Sequence, residues 1–263
     1  MKANDLLGSY KEYYKVRYPG PYTFIVSNND QYIYYFGSKH SFDPADSQFK
    51  EIKSFWQDFL EKTKKKNCIV FVEGGERLIY ETAEESILKQ GEMGYITYLA
   101  AQENIETFSP EPPGKLIFKA LERKFSRNEI TYYFFARVCY QWNNLKEKPD
   151  FKSYIQRFLD NDKRESGWDD FDFSLENLKK IHYDLFGGYF DENDKQFFYD
   201  VINPLIIKTN INRVSREEEE GLRDRYIVDE AEKYWKSDKN IFTIYGKSHA
   251  VIQGKAIKYL VQQ

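Results

Sequence analysis

Two of the three histidines stand in the same local pattern, a glycine followed three residues later by a histidine. The segments are 37–40 (GSKH) and 246–249 (GKSH), and each directly follows an apolar run rich in aromatic residues. A chain that turns at glycine after a strand often presents a polar side chain at the strand end. Because imidazole is suited to acid–base catalysis near neutral pH and to metal binding, His40 and His249 are candidate site residues.

Carboxylates follow two other predicted strands. Glu73 comes directly after the apolar run 68–72, and Glu111 lies between prolines after the short run 106–108. The carboxyl ends of parallel strands meet along one edge of a sheet, where ligands bind in open α/β folds. We therefore expect the histidines and carboxylates to converge. Such a set could bind a divalent metal, or perform metal-free chemistry with a carboxylate orienting a histidine.

Each candidate also has a purely structural interpretation. A histidine after a strand is often only a hydrogen-bonding residue, Glu73 could cap a following helix, and Glu111 could be an ordinary loop residue. His182 lies at helical spacing among apolar residues of 177–186 and is interpreted as structural. The repeated glycine pattern supports a functional role for the other two histidines as strongly as a structural one.

Composition and charge exclude several classes of function. The 263 residues carry a net charge of -3, and the sequence pI is about 5.8, which argues against non-specific nucleic-acid binding. No segment approaches the roughly 20 apolar residues that span a membrane, and the N-terminal stretch lacks the apolar region of a signal peptide. Cys68 and Cys139 lie in apolar runs. This position predicts buried thiols in a reducing compartment rather than a disulfide. We therefore expect a cytoplasmic protein.

The elements that must position these residues are predicted from hydrophobic periodicity. Strands are predicted over 22–26, 31–36, 68–72, 106–108 and 240–245, and helices over 45–63, 92–105, 114–143, 215–236 and 248–261. This order is typical of βαβ units. It predicts an α/β fold with a mainly parallel central sheet flanked by helices.

The middle of the chain has a different character. It contains no convincing strand pattern and has helical patterns near 150–160, 174–186 and 193–202. We interpret it as a helical insertion, or cap, over the C-terminal strand edge. The predicted division is an N-terminal α/β half at 1–143, the insertion at 144–214 and a C-terminal part of the same α/β domain at 215–263. Ser215 is the predicted N-cap of the helix that opens this last part.

Several short motifs, taken in order, resemble the TraB/PrgY/TIKI family and the wider group with the erythromycin esterase-like and ChaN-like fold. They are GSKH at 37–40, VEG at 72–74, GEM at 91–93, RD at 223–224 and YGKSH at 245–249. They span nearly the whole chain. The chain departs from the family pattern in the Gly-Gly-Glu that comes after Glu73 and in the segment 144–214, which has no counterpart.

The resemblance implies an α/β fold in which each half supplies one G-x-x-H turn to a single cleft. Carried over by position, the resemblance implies a set of catalytic residues. These catalytic residues are His40, Glu73, Glu92, Arg223 and His249, with Glu111 as a looser match. The TIKI members are described as metal-dependent proteases, and erythromycin esterases use a histidine and glutamates to activate water.

We therefore predict a hydrolase, metallopeptidase-like or esterase-like, that acts on a small-molecule or peptide substrate. Water would be activated by His40 or His249, directly or on a divalent metal such as Mn, Co or Zn. The metal ligands would be His40, Glu73 and His249, and Arg223 would stabilise the developing oxyanion.

Two other functions stay open. The fold could serve a non-catalytic ligand-binding or signalling protein, including one that binds haem as ChaN-like relatives do, and the many tyrosines make a haem contact conceivable. A toxin-like effector is suggested only by the composition, which includes 22 Tyr and 21 Phe.

Overall fold

The structure is a computed structural model that describes residues 1–145 and 147–262. A mainly parallel sheet flanked by helices confirms the predicted α/β class. The strands are β1 (Tyr22–Asn28), β2 (Gln31–Ser38), β3 (Cys68–Val72), β4 (Glu106–Phe108) and β5 (Asn240–Gly246). Their order in the sheet is β1-β2-β5-β3-β4. The β1–β2 pair is antiparallel, and the β2–β5, β5–β3 and β3–β4 pairs are parallel.

A turn at residues 29–30 joins β1 to β2, and helices connect the other strands that are consecutive in the chain. In chain order the α-helices are α1 (Tyr10–Tyr13), α2 (Gln48–Thr63), α3 (Ala83–Gln102), α4 (Gly114–Leu121), α5 (Arg127–Asn143), α6 (Phe151–Ser166), α7 (Leu175–Phe186), α8 (Lys195–Ile202), α9 (Asn210–Arg216), α10 (Asp224–Trp235) and α11 (Lys247–Leu260). A 3-10 helix spans Ala3–Leu6, and a π-helical segment spans Glu217–Arg223. Within 1–145 and 147–262, no helix has both the length and the apolar character that crossing a bilayer requires.

The strand β5 lies inside the sheet, and every one of its residues is buried. Successive side chains of a strand point to opposite faces. Ile241 and Tyr245 share an apolar cluster with residues of α10 and α11, whereas Phe242 and Ile244 share another with residues of α2 and α3. Burying Ile241, Phe242 and Ile244 contributes about 1.5–3 kcal/mol for each side chain. The carboxyl end of β5 is thus held from both faces of the sheet.

The chain divides into two compact units. One contains the residues up to Glu111 together with those from Arg223 onward, and the other extends from Pro112 to Leu222. The first unit holds the sheet with α1, α2, α3, α10 and α11. The second holds α4 to α9 around an apolar core of its own. This helical unit covers more of the chain than the predicted insertion at 144–214, because α4 and α5 also belong to it. Its predicted place over the sheet edge stays a prediction.

Three predicted helices differ from those observed. The helix predicted over 92–105 is α3, which already begins at Ala83. The helix predicted over 114–143 is interrupted after α4, and Ser126 begins α5 by accepting a hydrogen bond from the backbone N–H of Glu129. The prediction that Ser215 caps a helix is wrong, because its hydroxyl donates to the carbonyl of Ile202. Thr209 instead caps α9.

The predicted helix over 215–236 also contains a change of helix type. The chain runs from α9 through the π-helical segment into α10, so Arg223 and Asp224 stand where π-helical bonding gives way to α-helical bonding. Short π-helical segments occur often at functional sites. Arg223 and Asp224 both contact His249, the histidine of the second G-x-x-H segment.

Candidate active site

The two G-x-x-H segments leave the sheet side by side. β2 and β5 pair in parallel with Ser38 opposite Gly246. A side chain at either glycine would clash with a neighbour. A Cβ on Gly37 would lie 2.6 Å from the Cβ of Ala250, and one on Gly246 would lie 2.6 Å from His40 Nε2. The missing side chains therefore let α11 and the His40 ring approach the strand ends closely.

His40 is held by a buried carboxylate. Its backbone has φ 57°, a left-handed conformation that is uncommon outside glycine. Its Nδ1 lies 2.7 Å from Oε1 of Glu92, and the side chain of His40 is 56% exposed whereas that of Glu92 is 3% exposed. The carboxylate also accepts hydrogen bonds from the Ser38 hydroxyl at 2.6 Å and the Ser41 N–H at 3.1 Å. Because Nδ1 contacts Glu92, Nε2 is the ring nitrogen that can contact a water or a substrate.

A glycine in α3 places Glu92. Gly91 has φ 61° and breaks the helix, so Glu92 begins a second helical stretch. A carboxylate is favourable in the first turn of a helix, near the positive end of its dipole. A Cβ on Gly91 would lie 2.9 Å from the carbonyl oxygen of Ser41. The close approach of Gly91 to the loop after His40 therefore also requires glycine.

Glu73 contacts both G-x-x-H segments. Its Oε2 accepts the N–H of Gly246 at 2.6 Å and lies 4.0 Å from His40 Nε2. Its Oε1 accepts a hydrogen bond from Arg223 Nη2 at 3.0 Å and lies 3.5 Å from His249 Nε2. The carboxylate at the end of β3 thus connects residues located after β2 and β5.

Arg223 joins two carboxylates. Its Nε and Nη2 donate to the two oxygens of Glu111 at 2.7 and 2.9 Å, a bidentate pair, and its side chain is only 13% exposed. Glu111 also accepts the N–H of Gly74 at 3.0 Å. Charge-assisted bidentate pairs are among the strongest polar contacts in proteins. The loops after β3 and β4 are therefore fixed together by one guanidinium.

His249 belongs to a buried chain of hydrogen bonds. Its Nδ1 lies 2.8 Å from Oδ1 of Asp224, and the same oxygen accepts from Gln253 Nε2 at 2.6 Å. The hydroxyl of Tyr35 donates to Gln253 Oε1 at 2.8 Å. On the other side of the ring, Nε2 lies between Glu73 and Arg223, 3.3 Å from Arg223 Nη1. This histidine is fixed on both sides.

The charges in the cluster perturb the pKa values of both histidines. The hydrogen bond to Glu92 raises the pKa of His40 against the effect of burial. Burial alone would lower the pKa of His249, but the negative charge of Asp224 and the hydrogen bonds to Asp224 and Glu73 outweigh it and hold that pKa well above its ordinary value. Burial alone would raise the pKa of Glu73, yet His249, Arg223 and His40 hold it well below its ordinary value. For each of these three groups, the neighbouring charges and hydrogen bonds therefore outweigh the effect of burial.

We predict that the protein loses stability as the pH rises above about 6.5, the ordinary histidine value. A histidine whose pKa is higher in the folded than in the unfolded protein stabilises the fold at pH values below its unfolded-state pKa. This contribution is lost as the pH rises through its folded-state pKa. For Glu73 and Glu92, whose pKa values are lowered, stability is lost below about pH 4.3. The midpoint of thermal unfolding should therefore be lower at about pH 9 than at about pH 6.

A His249→Gln variant isolates the contribution of that histidine. Burial raises the pKa of Asp162, in the helical unit, to about 7, so its ionisation adds to the same fall in stability. The variant retains Asp162 and should show a smaller fall between the two pH values than the wild type. An equal fall in both proteins would contradict the prediction for His249.

The structure brings every predicted site residue into one network and adds residues that the sequence analysis did not assign to it. The added residues are Tyr35, Ser38, Asp224 and Gln253. A signal for one of them was present, because Gln253 comes four positions after His249 and so lies on the same face of α11. Asp224 is the residue directly after Arg223, but nothing local in the sequence indicates that its side chain turns toward a histidine.

The predicted metal site does not fit these contacts. Among residues 1–145 and 147–262, no group of three or more His, Cys, Asp or Glu side chains is arranged to hold a metal ion. Of the predicted ligands, His40 engages Glu92 through Nδ1, and Glu73 has one oxygen on Gly246 and the other on Arg223. Because the guanidinium already lies between Glu73 and His249, a divalent cation there would meet a positive charge.

A pocket of about 300 Å³ opens beside His40. We call it the His40 pocket, and its lining residues are His40, Phe42, Glu73, Gly74, Arg77, Lys89, Gln90, Glu92 and Met93. A larger concavity of about 930 Å³ runs along α6 and contains none of the predicted site residues. The chemistry of the lining therefore selects the smaller pocket as the candidate active site.

Comparisons with protein-family models, curated proteins and solved structures find no match to this chain. The resemblance to the TraB/PrgY/TIKI family therefore stays a prediction, and the function is inferred from the geometry of the site.

Proposed function

We propose that the protein is a hydrolase in which His40 activates water for attack on an ester or amide bond. The observation that carries the proposal is the position of the His40 ring. Its Nδ1 is bonded to the buried Glu92, while its Nε2 lies 4.0 Å from Glu73 at the wall of a pocket. That distance exceeds a direct hydrogen bond, and a single water can bond to both atoms. A base oriented by a carboxylate is a common arrangement for general base catalysis.

The two carboxylates have different roles in this mechanism. The pKa of Glu73 is held well below its ordinary value, and that of His40 is raised, so the proton of the attacking water passes to His40 Nε2. Glu73 orients the water, and Glu92 stabilises the imidazolium that forms. The hydroxide adds to the carbonyl carbon, and His40 then donates the proton to the departing oxygen or nitrogen.

Arg223 and His249 are proposed as positioning residues. The guanidinium faces Glu111, Glu73 and His249, and neither Arg223 nor His249 lines the His40 pocket. This differs from the predicted role of Arg223 at the oxyanion. We propose instead that Arg223 neutralises Glu73 and Glu111, so that Glu73 stays ionised at a fixed position.

The mechanism that we propose uses no metal, because protein groups already engage the three predicted ligands. Glu92 binds His40, Arg223 binds Glu73, and Asp224 binds His249. The haem-binding alternative gains no support from His249, whose side chain is only 5% exposed and whose two nitrogens face Asp224 and Glu73. No second function is favoured by a specific observation.

A matched pair of glycine variants tests the proposal. In Gly246→Ala the new Cβ would lie 2.6 Å from His40 Nε2, whereas in Gly254→Ala its closest contact would be Phe24 at 3.6 Å, an ordinary distance. Displacing a catalytic group by about 1 Å can cost about 100-fold in rate. We therefore expect Gly246→Ala to lose about 100-fold in hydrolysis. The rate of Gly254→Ala should be unchanged and its stability equal or higher, since it lies inside a helix.

The assay uses 4-nitrophenyl acetate and a panel of small esters and amides, with protein treated with EDTA and metal content measured. Thermal unfolding of both variants checks that they fold. Equal rates for the two variants would contradict the role of His40. The absence of hydrolysis of every substrate by the wild type would contradict the proposed function, and activity that chelation removes would contradict its metal-free form.

A further inference from the structure

We propose that the His40 pocket is specific for small substrates that carry an anionic group, a carboxylate or a phosphate, which Arg77 and Lys89 bind. The inference deepens the proposed hydrolase function by naming its substrate class, and its catalytic part rests on that function. The binding part stands on the lining of the pocket alone.

Arg77 has a donor that no protein group satisfies. Its Nη2 donates to the backbone carbonyl of Glu73, which fixes the guanidinium beside the catalytic carboxylate. Its Nε is buried and has no hydrogen-bond partner among the described residues. An unsatisfied buried donor costs about 1–3 kcal/mol. The guanidinium lines the pocket, and a bound anion would be attracted by its positive charge.

Lys89 supplies a second positive charge to the same pocket. It is exposed near the break in α3 and makes no ion pair with any residue of 1–145 or 147–262. The carboxylates of the pocket are, in contrast, already matched. Glu73 pairs with Arg223. Glu92 accepts hydrogen bonds from the Ser38 hydroxyl and the Ser41 N–H and contacts His40 Nδ1. The positive charges without a carboxylate partner are therefore the ones available to a ligand.

The remaining wall limits the size and character of the ligand. Phe42 is 58% exposed although it is a large apolar side chain, and it lines the pocket together with Met93. The volume of about 300 Å³ stands at the lower end of the range for small-molecule sites. These features fit a small ester or amide with a short apolar part and one anionic end, with the scissile bond beside His40.

Binding is tested first, without catalysis. Succinate and inorganic phosphate are titrated into the wild type and into Lys89→Gln, with the exposed Lys53→Gln on α2 as the matched control. A lost charge-assisted hydrogen bond corresponds to about tenfold in affinity. We expect Lys89→Gln to bind the preferred anion about tenfold more weakly and Lys53→Gln to bind it like the wild type. The two probes separate a carboxylate site from a phosphate site.

Arg77 needs a conservative variant, because its contact with the Glu73 carbonyl also supports the loop. Arg77→Lys retains the charge and should keep part of the affinity, whereas Arg77→Gln should lose about tenfold. The inference would be overturned if the wild type bound neither succinate nor phosphate. It would also be overturned if Lys89→Gln and Lys53→Gln bound the preferred anion with equal affinity.

Kinetics then connects the anion to catalysis. The substrates are 4-nitrophenyl acetate, which is neutral, and 4-nitrophenyl hydrogen succinate, which carries a carboxylate. Lys89→Gln should raise KM about tenfold for the anionic ester only, with kcat little changed. Equal effects on the two esters would overturn the inference. Anion binding without hydrolysis of either ester would support the binding site while contradicting the proposed function.

Discussion

Replacing Arg223 with methionine is expected to lower the free energy of unfolding by about 3–5 kcal/mol. The guanidinium makes a bidentate pair with Glu111, lies 3.0 Å from Glu73 and is largely buried. Removing one partner of a buried ion pair leaves the other charges without compensation, and this costs more than the pair contributes. Urea denaturation followed by circular dichroism measures the change.

Arg225 provides a matched control two residues away. It is exposed in the first turn of α10, so Arg225→Met should change stability by no more than about 0.5 kcal/mol. Adding Glu111→Gln to Arg223→Met should recover part of the loss, because one of the uncompensated carboxylates is then removed. Equal stability of Arg223→Met and Arg225→Met would contradict the structural role of the guanidinium.

The architecture was predictable because strand and helix patterns alternate in the sequence. The run 68–72 is apolar throughout, as expected for a parallel strand buried on both faces, and the structure places it as β3 beside β5. The boundary of the helical unit was not predictable. The apolar residues of α4 and α5 do not indicate in the sequence which unit they belong to, and only their packing assigns them to the second.

The convergence of the site was predictable in part. His40, Glu73 and His249 all come after strands whose carboxyl ends share one sheet edge, so their proximity is a consequence of topology. The partner of each ring nitrogen was not predictable. It depends on side-chain orientation in three dimensions, as when Asp224 in the first turn of α10 contacts His249 in α11.

That orientation also bears on the proposed chemistry. The same residue types, His and Glu, predict a metal site or an acid–base site equally well. The placement of Arg223 between Glu73 and His249 favours the second. Arg223, which was predicted to stabilise the oxyanion, is thus the positive charge that disfavours a metal cation between Glu73 and His249.

His40→Gln is expected to lower the rate of hydrolysis by about 100- to 10,000-fold, the range for loss of a general base. The substitution removes the proton acceptor and retains a polar side chain. Because His40 is half exposed, the fold should tolerate the change, and circular dichroism and thermal unfolding would verify this. A rate within about threefold of the wild type would contradict the role of His40 as base.

Glu92→Gln separates positioning from simple structural support. His40 must be neutral to accept a proton, so the rate of the wild type should rise with pH through the raised pKa of His40, above about 6.5. The amide removes the negative charge that raises this pKa. The acid limb of the pH–rate profile should therefore move to lower pH, while the maximal rate falls because the imidazolium loses its counter-charge. A merely structural role would lower the rate without moving the limb, so the direction of that shift decides whether Glu92 acts through His40.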